Sequence, residues 1–480
     1  MKKTKIVCTM GPNLNDENVM RSLVREGMDI ARFNFSHGSH EEQKGRMDML
    51  KRIRAEEGKP VAILLDTKGP EIRTGLLKGG KKVMLCEGEE FALTIEDVAG
   101  DDKRVSITYA GLVQDAVIGG KILIDDGLIE LKVKDKTKTD IICTIVNGGE
   151  LGERKGVNVP NIPIRLPAIT EKDKEDIRFG VEQDVDFIAA SFVRNAECIL
   201  EIRALLRECE APFTPIIAKI ENEEGIKNLD EILRVADGIM VARGDLGVEI
   251  PAEQLPHLQK HIISKCTDAS KPVITATQML DSMIRNPRPT RAEVTDVANA
   301  VYDGTDAVML SGETAQGKYP VEALKMMVQI CENTEQYLDY DSILRKQACH
   351  RMRSTSSALG YAAVSTAHHL NAKCIIIPTG SGSTARIVSK FHPKVEMLGL
   401  SPEERTLRRM QIYWGVRPFK SVEGKNTEAI CDNALEIARA KTDLDTGDIA
   451  ILTAGIPATH AICIEQKYGV SNMMRIVTVD

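Results

Sequence analysis

Residues 214–250 carry a lysine and two carboxylates at positions where all three could act on one ligand. A strand predicted over Ile216–Ile220 contains Lys219 and leads into Glu221, and residues two apart project to the same face of an extended chain. The next predicted strand leads into Asp245. Two carboxylates and an ammonium at adjacent strand ends suit a divalent cation that itself holds an anion. The alternative is an ordinary ion-pair cluster, because most charged side chains simply face solvent.

Length and composition restrict the class of protein. A chain of 480 residues predicts two to four domains, and 42% apolar residues are ample for folded cores. The formal net charge of -7 argues against a general nucleic-acid binder. No run approaches the roughly 20 apolar residues of a membrane span. The 11 cysteines include no CxxC pair, which predicts reduced thiols and a cytoplasmic location.

Eight short apolar runs alternate with amphipathic stretches, a pattern that predicts an α/β chain containing a (β/α)8 TIM barrel. The predicted strands are Lys5–Cys8, Asp29–Phe33, Val61–Leu65, Asp186–Ala190, Ile216–Ile220, Gly238–Val241, Val273–Ala276 and Ala307–Leu310. Helices are predicted between most of them, at Glu17–Arg25, Glu41–Ala55, Glu171–Gly180, Ala196–Arg207, Leu229–Val235, Leu258–Ala269 and Ala292–Tyr302. Cations, carboxylates and hydroxyls follow the strand ends, which is where a TIM barrel places its active site.

Two further domains are predicted. Between residues 70 and 167 short strands and tight turns, such as Asp126-Gly127, predict a small β-barrel inserted after the third barrel strand. Such a domain is well placed to close as a lid, although an insertion without motion is the alternative. From residue 342 onward, alternating strands and helices predict a C-terminal α/β regulatory domain. The predicted domains are thus 1–69 with 168–341, then 70–167, then 342–480.

Three other motifs have competing interpretations. Gly312–Lys318 matches GxxxxGK, but Tyr319 follows in place of the Ser or Thr that binds magnesium, which argues against a P-loop. His257 and His261 have helical spacing, and without a third ligand an ordinary helix face is the better interpretation. The loop at residues 379–384 could surround a phosphate with amides and hydroxyls, or could merely cap a helix.

Several long motifs carry a resemblance to a known family. They are ARFNFSHG (31–38), LLDTKGPEIRTG (64–75), GERKGVNVP (152–160), AKIEN (218–222), MVARGDLGVEIP (240–251), the run from Thr275 to Ala315 and the loop from Thr379 to Ala385. With these motifs the chain resembles the pyruvate kinases, in their bacterial type, along essentially its full length. The resemblance implies transfer of the phosphoryl group of phosphoenolpyruvate to ADP, giving pyruvate and ATP, in the last step of glycolysis.

The resemblance also implies cofactors and partners. The expected cofactors are Mg²⁺ or Mn²⁺ together with K⁺. The expected partners are phosphoenolpyruvate, ADP or ATP and pyruvate, with a sugar phosphate or nucleotide as a possible allosteric effector. The expected assembly is a cytoplasmic homotetramer that binds neither nucleic acid nor membrane.

Residue roles follow from the matching motifs. The catalytic residues would be Lys219, Thr277 and Arg32, and the substrate-binding residues would be Arg32, Lys219, Gly244, Asp245 and Thr277. Glu221 and Asp245 would ligate Mg²⁺ or Mn²⁺. The K⁺ ligands would be Asn34, Ser36, Asp66 and Thr67, and the nucleotide-binding residues would be Asn34, His37, Arg73 and Lys155. The effector loop would contain Thr379, Ser381, Gly382, Ser383 and Thr384.

Two details refine these expectations. Glu71 stands where an acidic residue in the family accompanies dependence on K⁺, which predicts activation by K⁺. The effector loop lacks the basic residue common in relatives that respond to fructose 1,6-bisphosphate, so the effector stays open. Two rival functions remain: a metal-dependent lyase or aldolase on the same barrel, and a metabolite sensor without turnover.

Overall fold

The computed structural model describes residues 2–160, 162, 165–348, 354–424, 426–455 and 471–479. Its strands are β1 Lys5–Met10, β2 Ile30–Asn34, β3 Ala62–Asp66, β4 Val83–Leu85, β5 Glu90–Thr94, β6 Arg104–Ser106, β7 Lys121–Ile124, β8 Ile129–Lys136, β9 Asp140–Asn147, β10 Gly149–Leu151, β11 Val157–Asn158, β12 Phe187–Ala190, β13 Ile216–Ile220, β14 Gly238–Ala242, β15 Val273–Ala276, β16 Ala307–Leu310, β17 Cys374–Pro378, β18 Glu396–Ser401, β19 Val416–Lys420, β20 Ile449–Ala454 and β21 Met473–Thr478.

The α-helices are α1 Glu17–Glu26, α2 His40–Glu56, α3 Leu112–Asp115, α4 Glu171–Glu182, α5 Ala196–Glu208, α6 Glu223–Lys227, α7 Leu229–Val235, α8 Arg243–Glu249, α9 Leu255–Asp268, α10 Arg291–Asp303, α11 Gly312–Ala315, α12 Pro320–Glu335, α13 Tyr340–Ala348, α14 Thr355–His369, α15 Ser383–Ser389, α16 Glu404–Arg409 and α17 Thr427–Lys441. None of the helices in these described ranges is both long enough and apolar enough to span a membrane.

Eight parallel strands close into a barrel in the order β1-β16-β15-β14-β13-β12-β3-β2. The predicted TIM barrel is confirmed, and each of its strands lies within one or two residues of the predicted limits. Most of these strands are buried along their whole length, since helices cover them outside and side chains fill the barrel inside. This burial explains why near-continuous apolar runs marked them in the sequence.

The interior of the barrel is closed at its N-terminal end by the C-terminal domain. The inward-facing side chains, among them Ile30, Leu64 and Met240, form one apolar cluster that also includes Ile412, with Tyr413 packed against it. Ile412 is fully buried and ends the 3₁₀ turn Met410–Ile412 that follows α16. The barrel floor and the C-terminal domain therefore share one core. This contact leaves the opposite end of the barrel, where a TIM barrel places its active site, uncovered by the C-terminal domain.

Capping boxes fix the helices that follow two strand-end loops of this opposite end. Ser39 and Glu42 exchange side-chain and backbone hydrogen bonds at the start of α2, and Thr290 and Glu293 do so at α10. Such reciprocal bonds satisfy amides that the first helical turn leaves without partners. The loops after β2 and β15 therefore run between two fixed ends.

The inserted domain lies between β3 and α4, as predicted. Its strands form a six-stranded sheet, β11-β7-β8-β9-β5-β6, and a two-stranded sheet, β10-β4, around an apolar core of their own. The predicted turn at Asp126-Gly127 joins β7 and β8, and both residues have positive φ angles of 54° and 83°. The exact limits of the three domains stay predictions.

The C-terminal domain is an α/β sheet in the order β19-β18-β17-β20-β21, parallel except for β21. The sequence analysis missed β19, where Pro418 and Arg417 break the apolar pattern. Proline is tolerated because β19 is an edge strand and does not need every amide for pairing. The cysteines among the described residues are free thiols and most are buried, as predicted.

Candidate active site

Lys219 is the centre of a buried polar cluster at the C-terminal end of the barrel. Its ammonium lies 2.9 Å from Glu221 Oε1 and 3.1 Å from Asp66 Oδ1, and it donates a hydrogen bond of 2.7 Å to Ser191 Oγ. Lys219 is 8% exposed and Glu221 is 1% exposed, so solvent screens these charges little. The predicted pairing of Lys219 with Glu221 is therefore present, and Asp66 joins it from β3.

Arg32 extends this cluster from β2. Its Nε donates to Asp66 Oδ2 at 2.6 Å, and its Nη1 donates to Thr9 Oγ1 at 3.0 Å. The register places Asn34 beside Asp66, and Asp66 beside Ala189 of β12, so the ends of β2, β3 and β12 lie at one level. Asp66 thus holds the two predicted catalytic cations, Arg32 and Lys219, on its two carboxylate oxygens.

Ser191 is a member of the cluster that the sequence analysis missed. Its hydroxyl accepts from Lys219 and lies 2.6 Å from the carbonyl oxygen of Thr67, to which it donates. It directly follows β12, a strand whose polar C-terminal residues were not considered in the sequence analysis. The position of Ser191 at the end of a barrel strand is the signal that could have identified it.

Burial and charge set the protonation of these groups. Burial opposes a charge on Lys219, but the carboxylates of Asp66 and Glu221 outweigh it and raise the pKa of the amine above its ordinary value. Burial raises the pKa of Glu221 to about 7, against the pull of Lys219 and with a further contribution from the charge of Asp245. Burial likewise raises the pKa of Asp245. Three carboxylates thus face two cations, and the excess negative charge is costly without another cation.

Asp245 and Gly244 lie in the first turn of α8, directly after β14. The amide of Gly244 donates to Thr277 Oγ1 at 2.7 Å, which brings the ends of β14 and β15 together. Asp245 is half-buried, and its charge contributes to the raised pKa of Glu221. The structure therefore brings Gly244, Asp245 and Thr277 into one region with Glu221 and Lys219.

Thr277 has a strained backbone. Its φ angle is 69°, and the next residue, Gln278, has a φ of 52°. A β-branched residue in this region is a genuine outlier and costs roughly 1–3 kcal/mol. Arg243, which is buried, donates to the carbonyl oxygens of Ala276 and Thr277 at 3.2 and 2.7 Å and so holds the turn in place. The Thr277 hydroxyl accepts from the Gly244 amide and donates to the carbonyl oxygen of Ala276 at 2.6 Å, and these two bonds fix it in place.

The predicted K⁺ ligands surround the same strand ends. Asp66 and Thr67 are almost fully buried, and Asn34 Oδ1 accepts from the Ser36 amide at 3.0 Å. Ser36 is half-buried, whereas His37, a predicted nucleotide-binding residue, is exposed at the rim. The oxygens of Asn34, Asp66 and Thr67 therefore lie on neighbouring strands of the site.

The inserted domain contributes the other two nucleotide candidates. Arg73 Nε donates to Glu71 Oε2 at 2.6 Å, and Lys155 Nζ donates to Asp125 Oδ1 at 2.9 Å. Both cations are partly exposed, and each is paired with a carboxylate of its own domain. The charge of Asp126, at the hairpin tip, acts on both Arg73 and Asp245.

A direct hydrogen bond joins the inserted domain to the barrel beside the site. Asn158 Nδ2 donates to Glu249 Oε1 at 2.8 Å, and Glu249 ends α8, which carries Asp245. The hairpin tip and this hydrogen bond place the inserted domain over the mouth of the barrel.

The donor set fits a hard divalent cation. Glu221 Oε1 is fully buried and accepts no well-formed hydrogen bond, although Lys219 lies 2.9 Å away. A buried carboxylate oxygen with free lone pairs, next to a second carboxylate, is what magnesium or manganese requires. Among the described residues no group of three or more His, Cys, Asp and Glu side chains could hold a metal by itself. Further ligands would therefore come from substrate or water, which is usual for magnesium.

The predicted effector loop lies in the C-terminal domain, away from this cluster. Gly382 has a φ of 80°, and its amide donates to Thr379 Oγ1 at 3.0 Å. Ser381 Oγ donates to Ser383 Oγ at 3.1 Å, and Thr384 Oγ1 lies 2.8 Å from Ser471 Oγ. The loop leads from β17 into α15, so its hydroxyls and amides form a compact turn at a helix start.

Comparisons with known proteins agree with this arrangement. A family model described as "Pyruvate kinase, barrel domain" matches residues 1–324, and another, "Pyruvate kinase, alpha/beta domain", matches residues 357–477. Two curated proteins named pyruvate kinase, from Staphylococcus aureus strains MRSA252 and USA300, are each 50% identical over 478 residues, covering 99% of this chain and 80% of theirs.

A solved structure supports the same conclusion. The crystal structure of a pyruvate kinase from Cryptosporidium parvum matches with a TM-score of 0.93 and 39% identity, over 100% of this chain and 96% of that one. The resemblance carried by the motifs thus extends to sequence identity and to the fold of the whole chain. The chain belongs to the pyruvate kinase family.

Proposed function

We propose that this protein transfers the phosphoryl group of phosphoenolpyruvate to ADP, producing pyruvate and ATP. The observation that carries the proposal is the buried Lys219 ammonium, held by Asp66, Ser191 and Glu221 beside a second carboxylate, Asp245. Phosphoryl transfer needs fixed positive charge and a metal site much more than it needs covalent chemistry by the protein.

Lys219 and Arg32 would bind the phosphoryl group. Both are oriented by Asp66, whose two oxygens lie 3.1 Å from Lys219 Nζ and 2.6 Å from Arg32 Nε. The raised pKa of Lys219 keeps the amine protonated through the neutral range. A fixed charge in a water-poor site stabilises the transferring phosphoryl and the enolate that remains, since neither must reorganise solvent.

Glu221 and Asp245 would hold Mg²⁺ or Mn²⁺. The buried Oε1 of Glu221, which accepts no well-formed hydrogen bond from the described residues, and the negative excess of the cluster support this assignment. When bound there, a divalent cation would supply positive charge that lowers the barrier to phosphoryl transfer. Asn34, Ser36, Asp66 and Thr67 would hold K⁺, which adds a further positive charge beside the phosphate.

Thr277 and Gly244 would handle the carboxylate end of the substrate. The Gly244 amide already donates to Thr277 Oγ1, so a substrate carboxylate at this position would meet an amide and a hydroxyl together. After phosphoryl transfer the enolate must receive a proton on carbon. The Thr277 hydroxyl, fixed by its strained backbone, would relay that proton through ordered water.

The nucleotide would lie between the barrel and the inserted domain. Arg73 and Lys155 would contact its phosphates, with Asn34 and His37 at the rim of the barrel. Both cations now pair with carboxylates, so binding of ADP would exchange Glu71 and Asp125 for phosphate oxygens. Closure of the inserted domain over the barrel would then exclude water from the reaction.

A coupled assay tests the function. Pyruvate formation from phosphoenolpyruvate is followed with lactate dehydrogenase and NADH, with and without ADP, in Mg²⁺ and K⁺. We expect pyruvate only with ADP, and one ATP for each pyruvate. Pyruvate formed at the same rate without ADP would identify a lyase or phosphatase, and no turnover with intact substrate binding would identify a sensor.

The proposal has three further parts. Cytoplasmic location fits the free thiols of the described cysteines. Assembly as a homotetramer is inferred from the family. Allosteric control by a sugar phosphate or a nucleotide would act through Thr379, Ser381, Gly382, Ser383 and Thr384, whose turn begins a helix. Titration of candidate effectors at low phosphoenolpyruvate tests this control, and a flat response to all of them would exclude it.

A further inference from the structure

A cleft separates the N-terminal face of the barrel from the C-terminal domain, on the side away from the active site. The barrel contributes the end of α9, the turn that follows it and the residue before β16, and the C-terminal domain contributes α15 and the segment after it. The residues that line it include Lys271, Asp306, Arg386, Lys390, His392 and Tyr413.

Three cations from two domains line this cleft. Arg386 and Lys390 are four residues apart on and just after α15, so they lie on one helix face, and Lys271 faces them from the barrel. The positive charge of Arg386 lowers the pKa of both lysines, after the larger effect of burial. Like charges are therefore held near one another in a partly desolvated space.

The Nε of Arg386 has no hydrogen-bond partner among the residues that the structure describes. This N–H group is fully buried and donates to no acceptor, and no ion pair of Arg386 occurs in the described part of the chain. A second arginine of this domain interface, Arg409, has the same defect at Nε and Nη2. Buried donors without acceptors are rare in native proteins, because each has lost its hydrogen bonds to water without gaining another.

The acidic groups around the cleft are already engaged or lie elsewhere. Asp306 Oδ2 accepts from the Val273 amide at 2.8 Å, so this carboxylate is directed toward the backbone. Asp237, whose charge acts on Lys271, pairs with Arg203. The charge of Asp268 raises the pKa of Lys390 by less than burial lowers it. The local balance stays positive around Arg386.

The cleft also offers hydrogen-bond donors. Lys271 Nζ contacts the carbonyl oxygen of Ala236, which leaves two of its three donors. Burial raises the pKa of Tyr413, so its hydroxyl stays protonated. Burial lowers the pKa of His392 to about 3, so its ring adds no charge. Arginine and lysine donors with hydroxyls around one small space match a tetrahedral oxyanion.

We propose that this cleft binds a phosphate group, either inorganic phosphate or a small phosphomonoester, between Arg386 and Lys390 of the C-terminal domain and Lys271 of the barrel. The ligand would link the two domains, because its oxygens would be shared between cations from both. The site is distinct from the loop at residues 379–384, because none of the loop residues lines the cleft. The proposal does not depend on the reaction proposed for the barrel.

Equilibrium dialysis of the full chain with radiolabelled inorganic phosphate tests the proposal. Wild type is compared with Arg386→Gln and Lys390→Gln, and with Arg345→Gln as the matched control, since Arg345 is an exposed arginine of α13. We expect each cleft variant to bind phosphate at least about tenfold more weakly, or to lose one site per chain, and the control to match wild type. Unlabelled glycerol 1-phosphate then shows whether a phosphomonoester or free phosphate competes better, and either order supports the proposal.

Thermal unfolding gives a second readout. Phosphate should raise the Tm of wild type and of Arg345→Gln, but not that of Arg386→Gln. Without phosphate, Arg386→Gln should be at least as stable as wild type, because it removes an unpaired buried charge. Unchanged phosphate binding in Arg386→Gln would overturn the proposal. Loss of the same phosphate in Ser381→Ala but not in Arg386→Gln would assign the site to the loop and would overturn it as well.

Discussion

Ser191 Oγ lies 2.7 Å from Lys219 Nζ and 2.6 Å from the carbonyl oxygen of Thr67. A hydroxyl has one proton, so it accepts from the lysine and donates to the carbonyl. Ser191 therefore connects the proposed catalytic amine with one of the proposed K⁺ ligands. The Lys219 ammonium is held from three sides, and its direction depends on a residue that would not itself touch substrate.

Substitution Ser191→Ala should lower kcat. A hydrogen bond to a charged group contributes roughly 1.5–3 kcal/mol, which predicts a decrease of about 10- to 100-fold if the whole contribution acts in the transition state. Because the Thr67 carbonyl loses its donor, the K⁺ concentration for half-activation should also change, and a merely structural serine would not alter it. Ser311→Ala is the matched control, since Ser311 Oγ is buried just after β16 and has no hydrogen-bond partner within the described ranges. Equal kinetics of the two variants would contradict the role of Ser191.

Lys219→Met should abolish phosphoryl transfer while leaving metal binding. The variant keeps Glu221 and Asp245 and removes only the amine, and loss of one such charge costs about 3 kcal/mol of barrier or more. Steady-state rates and Mn²⁺ binding by electron paramagnetic resonance measure the two effects separately. Lys227→Met, on the exposed face of α6, should behave as wild type. Near-normal turnover of Lys219→Met would refute the assignment.

Potassium should activate the enzyme. The proposed ligands Asp66 and Thr67 are almost fully buried, and position 71 carries a glutamate, paired with Arg73, and not a lysine that could take the place of the ion. Rates in KCl are compared with rates in tetramethylammonium chloride at equal ionic strength. We expect a large decrease without K⁺. Equal rates in the two salts would exclude a K⁺ requirement.

The sequence predicted the barrel well because its strands are buried on both faces. A strand such as Ile216–Ile220 carries apolar residues at every position except Lys219, so the buried pattern and the proposed catalytic residue could be told apart. The pairing of Lys219 with Glu221 followed from the two-residue period of a strand. Local periodicity was sufficient where the site residues lie on one element.

Contacts between elements could not be predicted in the same way. Ser191 is a single hydroxyl whose role depends on closure of the barrel, which brings β12 beside β3 and β13. The strained turn at Thr277 is held by Arg243. The Arg243 guanidinium donates to the carbonyl oxygen of Thr277 and so joins the ends of two different strands. Ile412 closes the barrel floor from a separate domain, and no local pattern marks such a contact.

Asp306 should make stability fall as pH rises through the neutral range. Burial raises the pKa of this carboxyl from 3.8 to about 7, against hydrogen bonds from the amides of Val273 and Trp414. Between about pH 4 and pH 7 the folded state therefore holds a proton that the unfolded state has lost, so unfolding becomes easier with increasing pH. This sign is opposite to that of a carboxylate stabilised by an ion pair.

Asp306→Asn tests this effect, since the amide oxygen can still accept from Val273. Unfolding midpoints in urea are measured at pH 5, 6, 7 and 8 for both proteins. The difference between wild type and variant should shift in favour of the variant as pH rises. A constant difference across this range would show that Asp306 does not titrate there.

Arg408 should stabilise the junction of the C-terminal domain with the barrel. Its Nε lies 2.7 Å from Asp186 Oδ1 and its Nη2 lies 2.8 Å from Asp184 Oδ2, and the Asp186 side chain is completely buried. Substitution Arg408→Met leaves that carboxylate without its main partner, because Arg54 is 3.9 Å away. Breaking a buried pair in this way costs about 3 kcal/mol or more.

The neighbouring Arg405 is the matched control. It pairs with the same Asp184, but both side chains are about half exposed. An exposed pair contributes about 1 kcal/mol or less, so Arg405→Met should change the urea midpoint little. In the double variant Arg408→Met with Asp186→Asn, removal of the second charge should restore part of the loss, since the buried carboxylate is then neutral. If Arg408→Met and Arg405→Met were equally mild, the junction would owe its stability to apolar contacts such as that of Ile412 and not to this ion pair.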